Sequence, residues 1–448
     1  MMILINIALG LVGLGIVVFF HELGHFAAAR FTGINVEAFS IGWGNAILKK
    51  KIGNTEYRLG MFPIGGYCKM QDASDHSVSD NIVPQEPQKG SYYAASPQAR
   101  ILVCLCGPLF NLIFAILLLS VLWGVGFEIN TLGNKIVLAS ELDPAQLHPA
   151  DIAGLQTGDR IIEIDGRKIN YFHELQESFA LNPNKSLPIA IERNGVIIRK
   201  NIIPSLDKSS GAGRIGIIIW SDPLIENVIN ESPAFNAGLR SGDIIKSVNG
   251  EQILNNIDFL KIREQNPEEF IIEYERGGSL HSAHFKREDI QNELGFSWAM
   301  IRYRTPRLSI PAAIAKGVTE GYRTLTVSIT SLRLLFMGID LTKAVSGPIR
   351  ITYMMGDMAT QGFGQGLGIG FRSIINFLAL ISIALCVMNL LPLPVLDGGM
   401  TILLLVELIR RKPIPPKAIA IFQTSGMVII FGLMLFALYG DIMFFARR

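Results

Sequence analysis

The stretch His21-Glu22-Leu23-Gly24-His25 decides the reading of this chain, because it sets three titratable side chains at the end of an apolar run from Ile3 to Phe20. On a helix, residues four apart lie on one face, one turn apart, so the two imidazoles can grip a single Zn2+. Glu22 then stands where a general base takes a proton from the attacking water. The competing reading is an ordinary helix whose polar side chains are satisfied by neighbours. Ionisable groups inside an apolar span are costly and mark function by default, which favours the metal site.

Composition places that helix in a membrane. Of the 448 residues, 49% are hydrophobic and 17% charged, with mean hydropathy +0.36. A soluble enzyme carries about a quarter charged residues, so the deficit points to a partly embedded protein. A net charge of +2 is too small to argue for nucleic acid as a partner. Cys68, Cys104, Cys106 and Cys386 lie in or near apolar stretches, and none falls between Phe127 and Asn376, so the central portion has no disulfide framework. The N-terminal run has no basic n-region and ends in the polar motif, so it reads as a first membrane helix and not as a signal peptide.

Four spans follow from length and hydropathy. They are Ile3 to Phe31, Ile101 to Phe127 (opened by Gly107-Pro108), a third from Ile374, and Ile419 to Phe445. The third is interrupted by Pro392-Leu-Pro394 and Asp397-Gly398-Gly399. Arg30, Lys49, Lys50, Lys51, Arg58 and Lys69 fall between spans one and two; Arg410, Arg411, Lys412 and Lys417 fall between three and four. By the positive-inside rule both connections are cytoplasmic and the long central module is outside; Arg447-Arg448 argues weakly the other way. Glu407 and Arg411, four apart, are expected to pair near the cytoplasmic boundary.

Residues 34 to 70 mix strand formers with glycines, which predicts hairpins that dip back toward the site. Residues 72 to 90 read as a flexible polar connection in which His76 is solvated. The central module holds a repeat: Gly154-Leu-Gln-Thr-Gly158-Asp159 recurs as Gly238-Leu-Arg-Ser-Gly242-Asp243, and each copy reaches a second turn at Asp165-Gly166 or Asn249-Gly250. At this length the pair looks like tandem PDZ domains, which bind extended peptides at a sheet edge or serve as spacers without a ligand. Residues 310 to 370 are amphipathic, broken at Ser346-Gly-Pro348 and again from Gly362 to Gly370, and predict a helix lying in the membrane plane.

A catalytic zinc takes three protein ligands and keeps one position for water. No further His lies in a span, so the third ligand is expected to be a carboxylate. Asp397 is the leading candidate, since it sits at a depth similar to that of His21 and His25 and the prolines free it to turn inward. Glu407 is the runner-up. Asn389, just before the prolines, either holds substrate through its amide or satisfies backbone freed at the kink.

His21-Glu-Leu-Gly-His25, Asn389-Leu-Leu-Pro-Leu-Pro394-Val-Leu-Asp397-Gly and the tandem PDZ signature together resemble the site-2 protease family of intramembrane zinc metalloproteases, closest to its bacterial regulator-of-sigma-E branch. The resemblance implies a zinc-dependent intramembrane endopeptidase, with His21, His25 and Asp397 as ligands and Glu22 as general base. It implies a membrane-reentrant β-element over residues 57 to 70, with Gly65-Gly66 at its turn, and substrate contacts at Asn389 and Pro394. The fold expected is a multi-pass α-helical membrane protein of four transmembrane helices with that β-element, carrying two inserted α+β PDZ domains. Its parts are a first core piece (1–127), PDZ domains at 128–222 and 223–308, an amphipathic membrane-associated segment (309–373) and a second core piece (374–448). Two PDZ domains imply the Gram-negative inner membrane, with the PDZ pair periplasmic and the site toward the cytoplasm. The implied partners are membrane lipids and single-span membrane proteins already trimmed outside, chiefly an anti-sigma factor and also remnant signal peptides. A transporter would show repeated spans, and a catalytically inactive PDZ scaffold would have lost Glu22.

Overall fold

The computed structural model describes residues 2–71, 88–208, 211–265, 267–291, 293–335, 347–364 and 366–446. His76, most of the polar connection around it, and Ser346 lie outside the described residues. In chain order the elements used below are α1 (Met2–Phe31), β1 (Val36–Ile52), β2 (Thr55–Met70), α2 (Pro97–Val125), α3 (Phe172–Ala180) and α4 (Asn256–Glu264). They are followed by α5 (Ile310–Leu335), α6 (Pro348–Gly364), α7 (Leu367–Asn389), α8 (Asp397–Arg410) and α9 (Pro416–Ala446). Among the described residues, one compact unit gathers those up to Phe127 and from Thr305 onward, and a second comprises Glu128–Arg304.

Four helical stretches of the first unit are long and apolar enough to cross a membrane: Ile5–Phe31, Pro97–Val125, Leu367–Asn389 and Lys417–Ala446. The second begins earlier than its hydropathy suggests. Ser96 caps it, its side chain accepting from the Ala99 N–H at 3.3 Å, and Pro97 occupies the first turn, where a missing N–H costs nothing. Gly107-Pro108 therefore lies inside α2 and does not open it. The third span stops at Asn389 and resumes, after an irregular turn, as α8.

Glycines set how closely these helices approach. A Cβ at Gly24 of α1 would overlap the Cys106 carbonyl of α2, and one at Gly10 would overlap the Thr352 carbonyl of α6. Small residues at such crossings let helix backbones touch where no hydrophobic effect drives them together. Of the amphipathic stretches, α5 packs along α2 and α7, and α6 along α1 and α7. The polar stripe of α6 is used inward in part, since Asn6 of α1 donates to Asp357 at 3.4 Å and accepts from Thr360 at 3.2 Å. The start of α6 is capped from α9, where the buried Asp441 accepts from the backbone N–H groups of Gly347, Ile349 and Arg350 at 2.8, 3.0 and 3.1 Å.

β1 and β2 form a long ribbon that folds on itself at its glycines. Ala38 to Ile41 have partners on both edges, running from Lys69 to Gly66 on one and from Glu56 to Leu59 on the other. The distal part pairs Leu48 with Leu59 and Ile52 with Thr55, and it leaves Trp43, Ile47, Leu48, Ile52, Met61 and Phe62 exposed.

The second unit contains two copies of one α+β plan, with separate cores around Ile161, Leu175 and Ile191 and around Ile245, Phe259 and Phe270. Each has a four-stranded sheet and a nine-residue helix, α3 or α4, beside shorter helical turns. The repeated Gly-Asp now has a reason. The buried Asp159 takes two bonds from Arg193, both 2.7 Å, and Asp243 takes two from Arg276, also 2.7 Å. The same carboxylates accept from the backbone N–H of Gln156 and Arg240, pinning the preceding turn. Asp165-Gly166 and Asn249-Gly250 both have positive φ at both positions, the backbone of the two-residue hairpin turn that these dipeptides predict.

Glu407 does not pair with Arg411. It forms a two-pronged buried ion pair with Arg100 at the start of α2, which ties α8 to that helix. Arg411 instead ends α8 in a left-handed conformation. Removing one partner leaves the other charge buried, so Glu407→Ala should destabilise the protein by about 3–5 kcal/mol. Replacing both by Met and Leu should restore most of that in thermal unfolding of the detergent-solubilised protein. A single variant as stable as the parent would contradict this.

Candidate metal centre

The irregular turn between α7 and α8 delivers Asp397. Val395 has φ +77°, an unusual value for a β-branched residue, and Leu393 N–H bonds back to Leu391 O at 2.7 Å. Gly398 and Gly399 are necessary to the turn, since a Cβ at either would overlap the carbonyls of Leu390, Leu391 or Leu393. Asp397 is thereby the first residue of α8, where the helix dipole favours a carboxylate.

It meets the two histidines of α1. Asp397 Oδ2 lies 3.3 Å from His21 Nε2, Asp397 Oδ1 lies 3.5 Å from His25 Nε2, and the two Nε2 atoms are 3.2 Å apart. All three side chains are largely enclosed, at 12, 11 and 20% exposure. Asp397 Oδ2 is nevertheless buried without a hydrogen bond. One ligand atom from each of the three residues falls within 4.8 Å of the others, the only such group among the described residues. Three lone-pair atoms converging in a dry place need a cation, and two His with one carboxylate form a donor set that suits zinc.

Helix α2 forms the wall behind them. His25 Nδ1 donates to the Val103 carbonyl at 2.8 Å, which fixes that ring's orientation. A Cβ at Gly107 would overlap His25 Nε2 and stand 3.0 Å from His21 Cε1. One turn further, the fully buried Asn111 brings its Nδ2 within 3.4 Å of His21 Nδ1. Neither Gly107 nor Asn111 was an expected site residue; an amide one turn beyond Gly107-Pro108, in the otherwise apolar run from Ile101 to Leu119, is the signal that could have found it.

On the other side, β2 passes close to Glu22. A Cβ at Gly66 would sit 3.2 Å from Glu22 Cγ and 3.5 Å from Val18, and the Cys68 backbone N–H faces the Glu22 carboxylate. Gly65, with φ +81°, faces the Trp43 indole instead. Asn389 ends α7 half-buried, with no protein partner for its amide among the described residues. Pro394 packs under α9, where a Cβ at Gly426 would overlap it. Glu407, engaged with Arg100, is not brought to the histidines.

Helices crossing a membrane, a His-Glu-x-x-His turn and an aspartate from a broken helix define a metallopeptidase of the intramembrane class. The model of peptidase family M50 matches residues 9–433. The chain belongs to that family, the site-2 proteases, and is an intramembrane zinc metalloprotease. It is similar to a Treponema pallidum protein named "Putative zinc metalloprotease", with 34% identity covering 98% of this chain and 99% of the relative. It is also similar to the Haemophilus influenzae "Regulator of sigma E protease", with 31% identity covering 96% of this chain and 97% of the relative.

The wall formed by α2 can be tested without touching a ligand. Gly107→Val should expel zinc and abolish peptidase activity, because the added side chain occupies the place of the His25 ring. Gly124→Ala on the same helix, whose Cβ would meet only Ala313 at 3.7 Å, should change neither. Zinc content by atomic absorption reads the difference, and full zinc in Gly107→Val would refute the packing argument.

Proposed function

We propose that the chain cleaves the membrane-spanning segment of single-span proteins already trimmed on the outer side, with His21, His25 and Asp397 holding zinc and Glu22 acting as general base. The observation that carries this is the convergence of His21, His25 and Asp397, from two separate helices, beside a glutamate held against a β-strand. Zinc bound there supplies Lewis acidity, polarising a peptide carbonyl and lowering the pKa of a water toward about 7. Glu22 would take a proton from the attacking water and return it to the leaving amine. An intact Glu22 argues against an inactive scaffold.

A helical substrate offers no free carbonyl, so it must unwind locally, and a strand edge can replace the hydrogen bonds it loses. β2 near Gly66 lies nearest Glu22 and is the edge we assign to that task. The exposed apolar side chains of the ribbon, Trp43, Met61 and Phe62 among them, support its being a membrane-reentrant element. The unpartnered Asn389 amide is suited to hold an extended substrate backbone, with Pro394 shaping the same side of the site. The two copies in the second unit are read as periplasmic PDZ domains, with the basic connections cytoplasmic in an inner membrane. The name of the Haemophilus relative and its similarity over nearly the whole chain support an anti-sigma factor as a substrate.

Glu22→Gln should keep zinc and lower cleavage of a tagged, pre-trimmed single-span substrate by at least about 100-fold, since the amide cannot accept the proton. Asp397→Asn should instead lower the zinc content itself. Full turnover in the first variant, or full zinc with full turnover in the second, would overturn the assigned roles.

Orientation is tested separately. Cysteines placed at Asn54 and Lys412 should resist an impermeant thiol reagent added outside intact cells stripped of their outer barrier, and one at Asn194 should label. The reverse pattern would invert the topology.

A further inference from the structure

Asn111 has a buried polar group that nothing so far accounts for. Its side chain is fully enclosed and its backbone carbonyl is fixed by Ser382 of α7, whose hydroxyl donates to it at 2.8 Å. Its Nδ2 lies 3.4 Å from His21 Nδ1, while its Oδ1 is buried with no hydrogen bond. A buried amide normally uses its acceptor as well as its donors, and an idle buried oxygen demands an explanation.

The neighbouring histidine supplies one. A carbonyl can only accept, so the Val103 oxygen requires His25 to carry its proton on Nδ1 and to present the Nε2 lone pair toward Asp397. His21 must adopt the same tautomer to contribute its own Nε2. An amide N–H aimed at His21 Nδ1 would favour the opposite tautomer, with a proton on Nε2 directed at His25 Nε2 and Asp397. A half turn of the amide exchanges Oδ1 and Nδ2 in almost the same space. It sets the idle oxygen against an Nδ1–H.

We propose that Asn111 is the positioning residue of His21, its Oδ1 accepting the Nδ1–H and so keeping Nε2 free as a metal ligand. His21 and His25 would then be oriented by two acceptors about two turns apart on α2, a backbone carbonyl for one and a side-chain amide for the other. Asn111 touches neither substrate nor metal; it acts through the imidazole. This rests on the ligand assignment made above.

The test measures zinc affinity of the full-length protein in detergent, by competition with a chromophoric chelator, beside thermal unfolding of the metal-free form. Asn111→Asp retains an acceptor and loses the donor, so it should bind zinc as tightly as the parent or more tightly. Asn111→Leu removes the acceptor and should weaken zinc by about 10- to 100-fold. A merely structural role would lower the metal-free melting temperature in both variants and leave the two with similar affinities. Parental affinity in Asn111→Leu, or an Asn111→Asp as weak as the Leu variant, overturns the proposal. Should the Leu variant not fold, the Asp variant alone decides. His21→Ala is the control for the ligand set: if it keeps parental affinity, the ligand assignment fails, and Asn111 loses its role with it.

Discussion

The close approach of α2 to α1 is the constraint on which the catalytic half depends. Two glycines make it possible, Gly24 against the Cys106 carbonyl and Gly107 against the imidazole of His25. Only at that distance can the Val103 carbonyl accept from His25. In hydrocarbon no water compensates a ring nitrogen that misses its partner, so the backbone of α2 orients the imidazoles as much as it packs them.

The remaining buried charges are each answered, and each answer joins elements distant in sequence. Arg100 and Glu407 tie α2 to α8, the helix that begins with Asp397, so two of the three walls of the site share one electrostatic anchor. Asp441 satisfies three backbone donors at the start of α6. In the second unit Asp159 and Asp243 do the corresponding work for a turn, and this explains why the repeat carries Gly-Asp and not merely glycine. Buried ion pairs of this kind are weak contributors to net stability but severe penalties when half-removed.

How far the sequence could be read follows from the range of each interaction. His21, Glu22 and His25 are local, and helical periodicity alone places them together. Asp397 was legible through depth, because the proline-broken span puts it near the level of the histidines. Glu407 misled because Arg411, four residues on, satisfies the local pairing rule, while its actual partner is 307 residues away. The neighbours of α5 and α6 were not legible for a related reason: periodicity reveals an apolar face but not whether lipid or another helix covers it. Gly107 and Asn111 carry no chemistry of their own in isolation. Their effect lies in what they leave room for and in which atom of a neighbour they face.

The last helix has a mechanical consequence. α9 presents Ile421, Met427, Val428, Phe431 and Leu433 outward, all more than half exposed. Near Asp397 it is held where Gly426 admits Pro394 and where Gln423 bonds to Met400 at 3.8 Å, and at its far end by Asp441. Its 30-residue apolar stretch, Lys417–Ala446, is about 45 Å long against a hydrocarbon layer of roughly 30 Å, so it must tilt or protrude. How it tilts is set by its packing against neighbouring helices and by its anchors at the membrane interface. Pro394 lies three residues before Asp397 in a turn already strained at Val395. The packing of α9 therefore bears, through the contact of Gly426 with Pro394, on the turn that delivers Asp397.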